Sequence, residues 1–162
     1  MAHILIVCTA NICRSPVGEA LLRDRLQRKG LDDWVVSSAG TWANWVRGPS
    51  QFSIEVMAQA GFDISGHRAR MIDETLLQQA DLVLCMEPNH VEALKYEFPA
   101  YADKIYLLSE MVGQKFSVHD PYGEPLLRYQ QMADELTALI DNGLERIIEI
   151  AGRNERRRTT NL

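Results

Sequence analysis

The sequence predicts an α/β protein, a four-stranded parallel sheet with helices on both faces. Three observations predict it. "HILIV" (His3 to Val7) and "DLVLCM" (Asp81 to Met86) are continuous apolar runs, as expected of strands covered on both sides. Segments with helical spacing of apolar residues stand between the strand-like runs. No repeat or linker-like stretch interrupts this alternation.

The elements follow in order. His3 to Val7 is the first strand. Ser15 is placed to cap a helix whose first position is Pro16, where a missing N–H costs nothing. That helix carries Ala20, Leu21, Leu22 and Leu26 on its apolar side and stops at Gly30. Trp34 to Gly40 is a second strand, followed by a loop rich in Trp, Asn, Gly and Pro. "SIEVMAQAG" and "DETLLQQA" read as short helices, with Asp73 and Asp81 as helix-end or strand-start residues. Asp81 to Met86 is the third strand, and Cys85 within it reads as core. A helix beginning at Pro88 and a fourth strand, Lys104 to Ser109, come next. Pro125 to Arg153 has the period of a long helix, with a break expected at Asn142-Gly143. The expected organisation is one domain over residues 1–153 and a basic, disordered tail over 154–162.

The chain has 162 residues, 46% hydrophobic and 24% charged, which is ordinary for a globular domain. A net charge of −5 argues against a general nucleic-acid partner, so any anion site must be local. No apolar run approaches the ~20 residues of a membrane span, and no membrane partner is expected. "MAHILIVC" lacks a basic start and a small-residue cleavage site and is not read as a signal peptide. Three cysteines without zinc-like spacing fit a reducing, cytoplasmic setting and no metal.

The chemistry concentrates in "VCTANICRSP" (Val7 to Pro16). Cys8 and Arg14 bracket a loop that leaves a buried strand and opens a helix. The spacing Cys-x5-Arg alone is a weak signal, and a buried Cys8 with a surface Arg14 is the bland alternative. The context is stronger. Backbone N–H groups and the helix dipole favour an anion at a helix N-terminus. The same field favours a thiolate. Arg14 can fork two hydrogen bonds to a phosphoryl group, and Ser15 can donate to the thiolate. Phosphate binding and a nucleophile are thus expected in one loop.

At these residues the chain resembles the low-molecular-weight protein tyrosine phosphatases of bacterial type, whose loop reads Cys-x-Gly-Asn-x-Cys-Arg-Ser-Pro. The likeness extends over "SSAGT" (Ser37 to Thr41), "GFDISGHRAR" (Gly61 to Arg70), "ADLVLCM" (Ala80 to Met86) and "DPYG" (Asp120 to Gly123). The resemblance implies a flavodoxin-like fold and hydrolysis of phosphotyrosine in proteins through a phosphocysteine, without cofactor. It implies Cys8 as nucleophile, Arg14 as phosphate clamp, Ser15 as thiolate stabiliser and Asp120 as general acid. Thr9, Ala10, Asn11, Ile12 and Cys13 complete the phosphate-binding loop, with Ser38 and His67 supporting Asn11. Inorganic phosphate would be product and inhibitor. Pro121 keeps Asp120 out of helical conformation. In this family the pair Cys8 and Cys13 can form a protective disulfide; a buried loop thiol is the other reading of Cys13.

Several residues depart from the pattern or bear on specificity. Ala10 stands where a glycine is usual, and a strained backbone is expected there. Ile12, Trp42, Trp45 and Tyr122 are expected as pocket walls suited to a phenyl ring, though either tryptophan can equally pack on the domain. "DPYGEPLLRYQQMADEL" also resembles the branch that includes protein arginine phosphatases, where a threonine occupies the position of Ile12. Arsenate reduction on the same fold needs a second cysteine near the third strand, where Cys85 stands alone. A non-catalytic phosphate-binding module would not need both Arg14 and Asp120.

Overall fold

The structure, a computed structural model, describes residues 1–161. Four strands form one parallel sheet: β1 (His3–Cys8), β2 (Val35–Gly40), β3 (Leu82–Cys85) and β4 (Ile105–Leu107). Their order is β2-β1-β3-β4. Five α-helices connect or follow them: α1 (Arg14–Arg28), α2 (Gln51–Gln59), α3 (Glu74–Gln79), α4 (Pro88–Glu97) and α5 (Leu126–Thr160). The predicted fold class is the one observed, and the strand boundaries agree to within two residues.

Alternation along β1 divides the core. Ile4 and Ile6 point to one face and pack with Val17, Leu21 and Leu22 of α1 and Leu136, Ile140 and Ile147 of α5. Leu5 and Val7 point to the other, against Leu76 and Leu77 of α3 and Leu94 of α4. These four β1 residues are essentially inaccessible, each worth ~1.5–3 kcal/mol of burial. The chain leaves β1 for β2 on one side and later crosses to β3 on the other. The carboxyl end of β1 is therefore the switch point, where open α/β sheets bind ligands.

Three sequence expectations are corrected. The first helix starts at Arg14 with Cys13 at the N-cap and no side-chain cap, because the Ser15 hydroxyl is engaged by Cys8 and Asn11 instead. No break occurs at Asn142-Gly143: a Cβ on Gly143 would lie 2.8 Å from the Met111 Cβ, so glycine serves close packing in mid-helix. The segment expected to be a disordered tail is helical through Thr160. Its Arg158 grips buried Asp81 at 2.7 and 3.1 Å, and Asn154 donates to the Asp81 carbonyl at 2.9 Å. Leu162 lies outside the described residues.

Candidate active site

The loop from Cys8 to Ser15 is shaped by one asparagine. Asn11 has φ 58°, the only positive φ among the described non-glycine residues, and asparagine tolerates that region better than most. The strain expected at Ala10 is thus absent; the left-handed position is its neighbour. Asn11 is fully buried and every polar atom of its amide is used. Its Nδ2 donates to Ser15 Oγ at 2.7 Å and Ser38 Oγ at 2.9 Å, and its Oδ1 accepts from the Arg70 N–H at 3.0 Å. His67 Nε2 donates to the Asn11 carbonyl at 2.8 Å. His67 therefore supports Asn11 through the main chain, not through its side chain as Ser38 does.

These bonds have a direction. Ser38 Oγ receives Asn11 and donates to Glu19. Ser15 Oγ also receives Asn11, which leaves its own hydrogen for Cys8 Sγ at 3.0 Å. A hydroxyl donating to sulfur is what a thiolate nucleophile or leaving group requires. Gly40 closes the loop from behind. A Cβ there would stand 2.3 Å from the Thr9 carbonyl oxygen, so only glycine permits this approach of β2 to the cradle.

Arg14 is 1% exposed and its two terminal nitrogens are spoken for. Nη1 donates to the Val118 carbonyl at 2.8 Å and lies 3.2 Å from Glu87 Oε2. Nη2 lies 3.4 Å from Thr9 Oγ1 and 3.6 Å from Asp120 Oδ2. Nε is buried with no protein partner, a donor suited to an anion in the loop. Asp120 reaches this position because Val118 is tied down on both sides: its N–H donates to the Met86 carbonyl at 2.9 Å while its carbonyl accepts Arg14. The Tyr122 N–H donates to Asp120 Oδ1 at 3.1 Å.

One cavity of about 260 Å³ is lined by Cys8, Thr9, Ala10, Ile12, Arg14, Arg47, Asp120 and Tyr122. It brings together Cys8, Thr9, Ala10, Ile12, Arg14, Asp120 and Tyr122 of the residues expected from the sequence, while Asn11, Cys13, Ser15, Ser38 and His67 do not line it. Trp42 and Trp45 do not line it; they are 71% and 77% exposed, which corrects their expected place as walls. Cys13 turns away, with its Sγ 3.6 Å from the Tyr129 hydroxyl. Burial pushes its thiol pKa up, and burial with the Cys13 contact pushes Tyr129 up to about 12. Burial also raises the Cys85 thiol, as expected of a core cysteine.

The sequence reading missed Arg47, Glu87 and His90. The Glu87 N–H donates to His90 Nδ1 at 3.2 Å, which leaves the proton on Nε2 to donate to Thr9 Oγ1 at 2.8 Å. Burial, with Arg14 nearby, lowers the His90 pKa to about 4, so it is a neutral donor. The signal available was Glu87 and His90 at capping-box spacing directly after a strand at the switch point. Among the described residues no group of three His, Cys, Asp or Glu forms a metal-ligand cluster, and no helix is long and apolar enough to cross a membrane.

Comparison with known proteins agrees with this geometry. A family model described as low molecular weight phosphotyrosine protein phosphatase matches residues 3–151. A probable low molecular weight protein-tyrosine-phosphatase, EpsP, of Ralstonia nicotianae is 33% identical over 144 residues, covering 89% of this chain and 94% of that protein. The protein-arginine-phosphatase of Bacillus subtilis is 36% identical over 138 residues, covering 85% and 91% respectively. Among solved structures, the low molecular weight protein tyrosine phosphatase from T. tengcongensis superposes with a TM-score of 0.85 at 41% identity, over 90% of this chain and 99% of that one. With the cradle, the clamp and the facing carboxyl group on one fold, the chain belongs to the low molecular weight phosphotyrosine protein phosphatase family.

Proposed function

We propose that the chain hydrolyses phosphotyrosine in protein substrates, in the reducing cytoplasm, with Cys8 as nucleophile. The observation that carries this reading is the single cavity holding Cys8, Arg14 and Asp120 beside Ile12 and Tyr122. Arg14 and the loop N–H groups hold the phosphoryl oxygens. The Cys8 thiolate attacks phosphorus, the P–O bond to the tyrosyl oxygen breaks, and the Asp120 carboxyl group protonates the departing oxygen. A positioned acid of this kind is worth ~10²–10⁴ in rate. The Asp120 carboxylate then takes a proton from water as that water attacks phosphorus. The P–S bond breaks and the thiolate leaves against the Ser15 hydroxyl. Inorganic phosphate is the product and, by filling the same cradle, a competitive inhibitor.

Phosphoarginine is the second reading, favoured by the arginine phosphatase among the similar proteins. Ile12 decides between them. It is 2% exposed, stiff and apolar, and it lines the cavity where the leaving group sits. It gives a phenyl ring contact area and leaves a guanidinium N–H unpaired. An unpaired buried donor costs ~1–3 kcal/mol, on the order of tenfold to a hundredfold in relative rate. The test is kcat/KM on matched phosphotyrosine and phosphoarginine peptides, for wild type and Ile12→Thr. The wild type is expected to prefer phosphotyrosine, and the variant to narrow or reverse that ratio. A wild type that prefers phosphoarginine would overturn the tyrosine reading.

A further inference from the structure

One charged side chain in the cavity has no role in the chemistry above. Arg47 lines the same cavity as Cys8 and Asp120 and is exposed. Among the described residues no carboxylate pairs with it. The segment that carries it is strapped to the phosphate-binding loop at both ends. The Trp42 N–H donates to the Thr9 carbonyl and the Ser50 N–H to the Ile12 carbonyl, each at 2.9 Å. The Arg47 carbonyl is itself held by the Ala69 N–H at 2.8 Å. Arg47 is therefore fixed relative to the cradle by backbone bonds.

A second guanidinium stands beside it. A Cβ on Gly48 would lie 3.6 Å from Arg68 Nη1. Arg68 donates only to the Ser65 and His67 carbonyls, so its charge also lacks a carboxylate partner among the described residues. Arg47 thus stands on the cavity rim with no carboxylate partner among the described residues, on a protein of net charge −5, while Arg68 borders the next cavity with Glu19 and Arg70. Trp42, Trp45 and Val46 on the same segment are all exposed and flank these charges with apolar surface.

Resting on the phosphotyrosine reading, we propose that Arg47 is a specificity residue that selects substrate segments carrying a carboxylate within one or two residues of the phosphorylated tyrosine. Substrate enters with its phosphate on Arg14, and its flanking residues must then pass over the rim. A carboxylate there meets Arg47, and a lysine there is repelled. Complementary charge at an interface of this kind chooses partners more than it adds affinity.

The experiment compares kcat/KM on three phosphotyrosine peptides that differ only in having Glu, Gln or Lys next to the phosphotyrosine, for wild type, Arg47→Gln and Arg47→Glu. Ratios within each variant cancel any general change in activity. The wild type is expected to favour Glu over Gln by about two- to fivefold at low salt, the range of a solvent-exposed ion pair. The preference is expected to shrink as added salt shortens the screening length. Arg47→Gln should weaken the ratio and Arg47→Glu should invert the order of the Glu and Lys peptides. Equal rates on the three peptides, or ratios unchanged by Arg47→Glu, would overturn the role of Arg47 and leave the phosphotyrosine reading standing. Absence of turnover on every peptide would overturn both.

Discussion

At the scale of single residues, the site depends on Asn11, whose every amide atom is committed. Asn11 spends two donors and one acceptor to set the direction of the Ser15 hydroxyl, and its own φ of 58° makes the loop turn. His90 is committed in a different way. Its pKa near 4 against 6.5 means the folded protein keeps it neutral where the unfolded chain takes up a proton. Between those values the unfolded state binds more protons, so stability falls as pH falls. The expected loss from this residue is about 2 kcal/mol between pH of about 7 and about 5. His90→Gln lacks that titration, so urea midpoints at the two pH values should separate less in the variant than in wild type. Equal separations would refute the neutral, buried assignment. Cys8 and Arg14 were legible because their loop joins a buried strand to a helix N-terminus, and Asp120 because "DPYG" belongs to the set of motifs that resembles the family. Arg47 and His90 were not, because each acquires meaning only when a distant backbone segment is laid against the loop. The tryptophans misled for the converse reason: aromatic character says nothing of which way a loop side chain points.

At the scale of elements, close backbone approach does the positioning. β2 ends at Gly40, where its lack of a Cβ lets the strand meet the Thr9 carbonyl and the Asn11 N–H. Gly40→Ala must push the loop away from Ser38 and the Arg70 backbone. A stability loss of about 2–4 kcal/mol is expected, in the range of overpacking with lost buried hydrogen bonds. Aryl phosphatase activity should fall more than the folded fraction does, because the displaced loop is the cradle itself. A variant with wild-type urea midpoint and rate would show that the approach is not required. The strands were readable because runs such as Ile4 to Val7 can only be buried on two faces. Helix α5 was readable from its apolar period and misjudged twice. Gly143 looked like a break but answers to Met111, and the charged final turns looked like solvated tail but carry Arg158 to Asp81. Both errors come from partners far away in sequence.

At the scale of the whole molecule, the strand order β2-β1-β3-β4 assembles the chemistry. It places the end of β1, which supplies Cys8, beside the end of β3, whose Met86 carbonyl anchors the segment leading to Asp120. Neither segment has a function without the other. Asp120→Asn should lower kcat by ~10²–10⁴ on phosphotyrosine, and by much less on aryl phosphates whose oxygen leaves without a proton. A deficit independent of leaving-group acidity would remove Asp120 as the acid.

The central claim is that the phosphoryl group passes through the sulfur of Cys8. Its most direct test is rapid acid quenching during turnover of an aryl phosphate, followed by mass spectrometry of the peptide containing Val7 to Arg14. The account predicts one phosphoryl group on Cys8 at early times, decaying as phosphate is released. No turnover is expected in a folded Cys8→Ser protein that still binds vanadate. Full turnover by Cys8→Ser, or phosphate release from the wild type with no phosphoryl group found on Cys8, would contradict it.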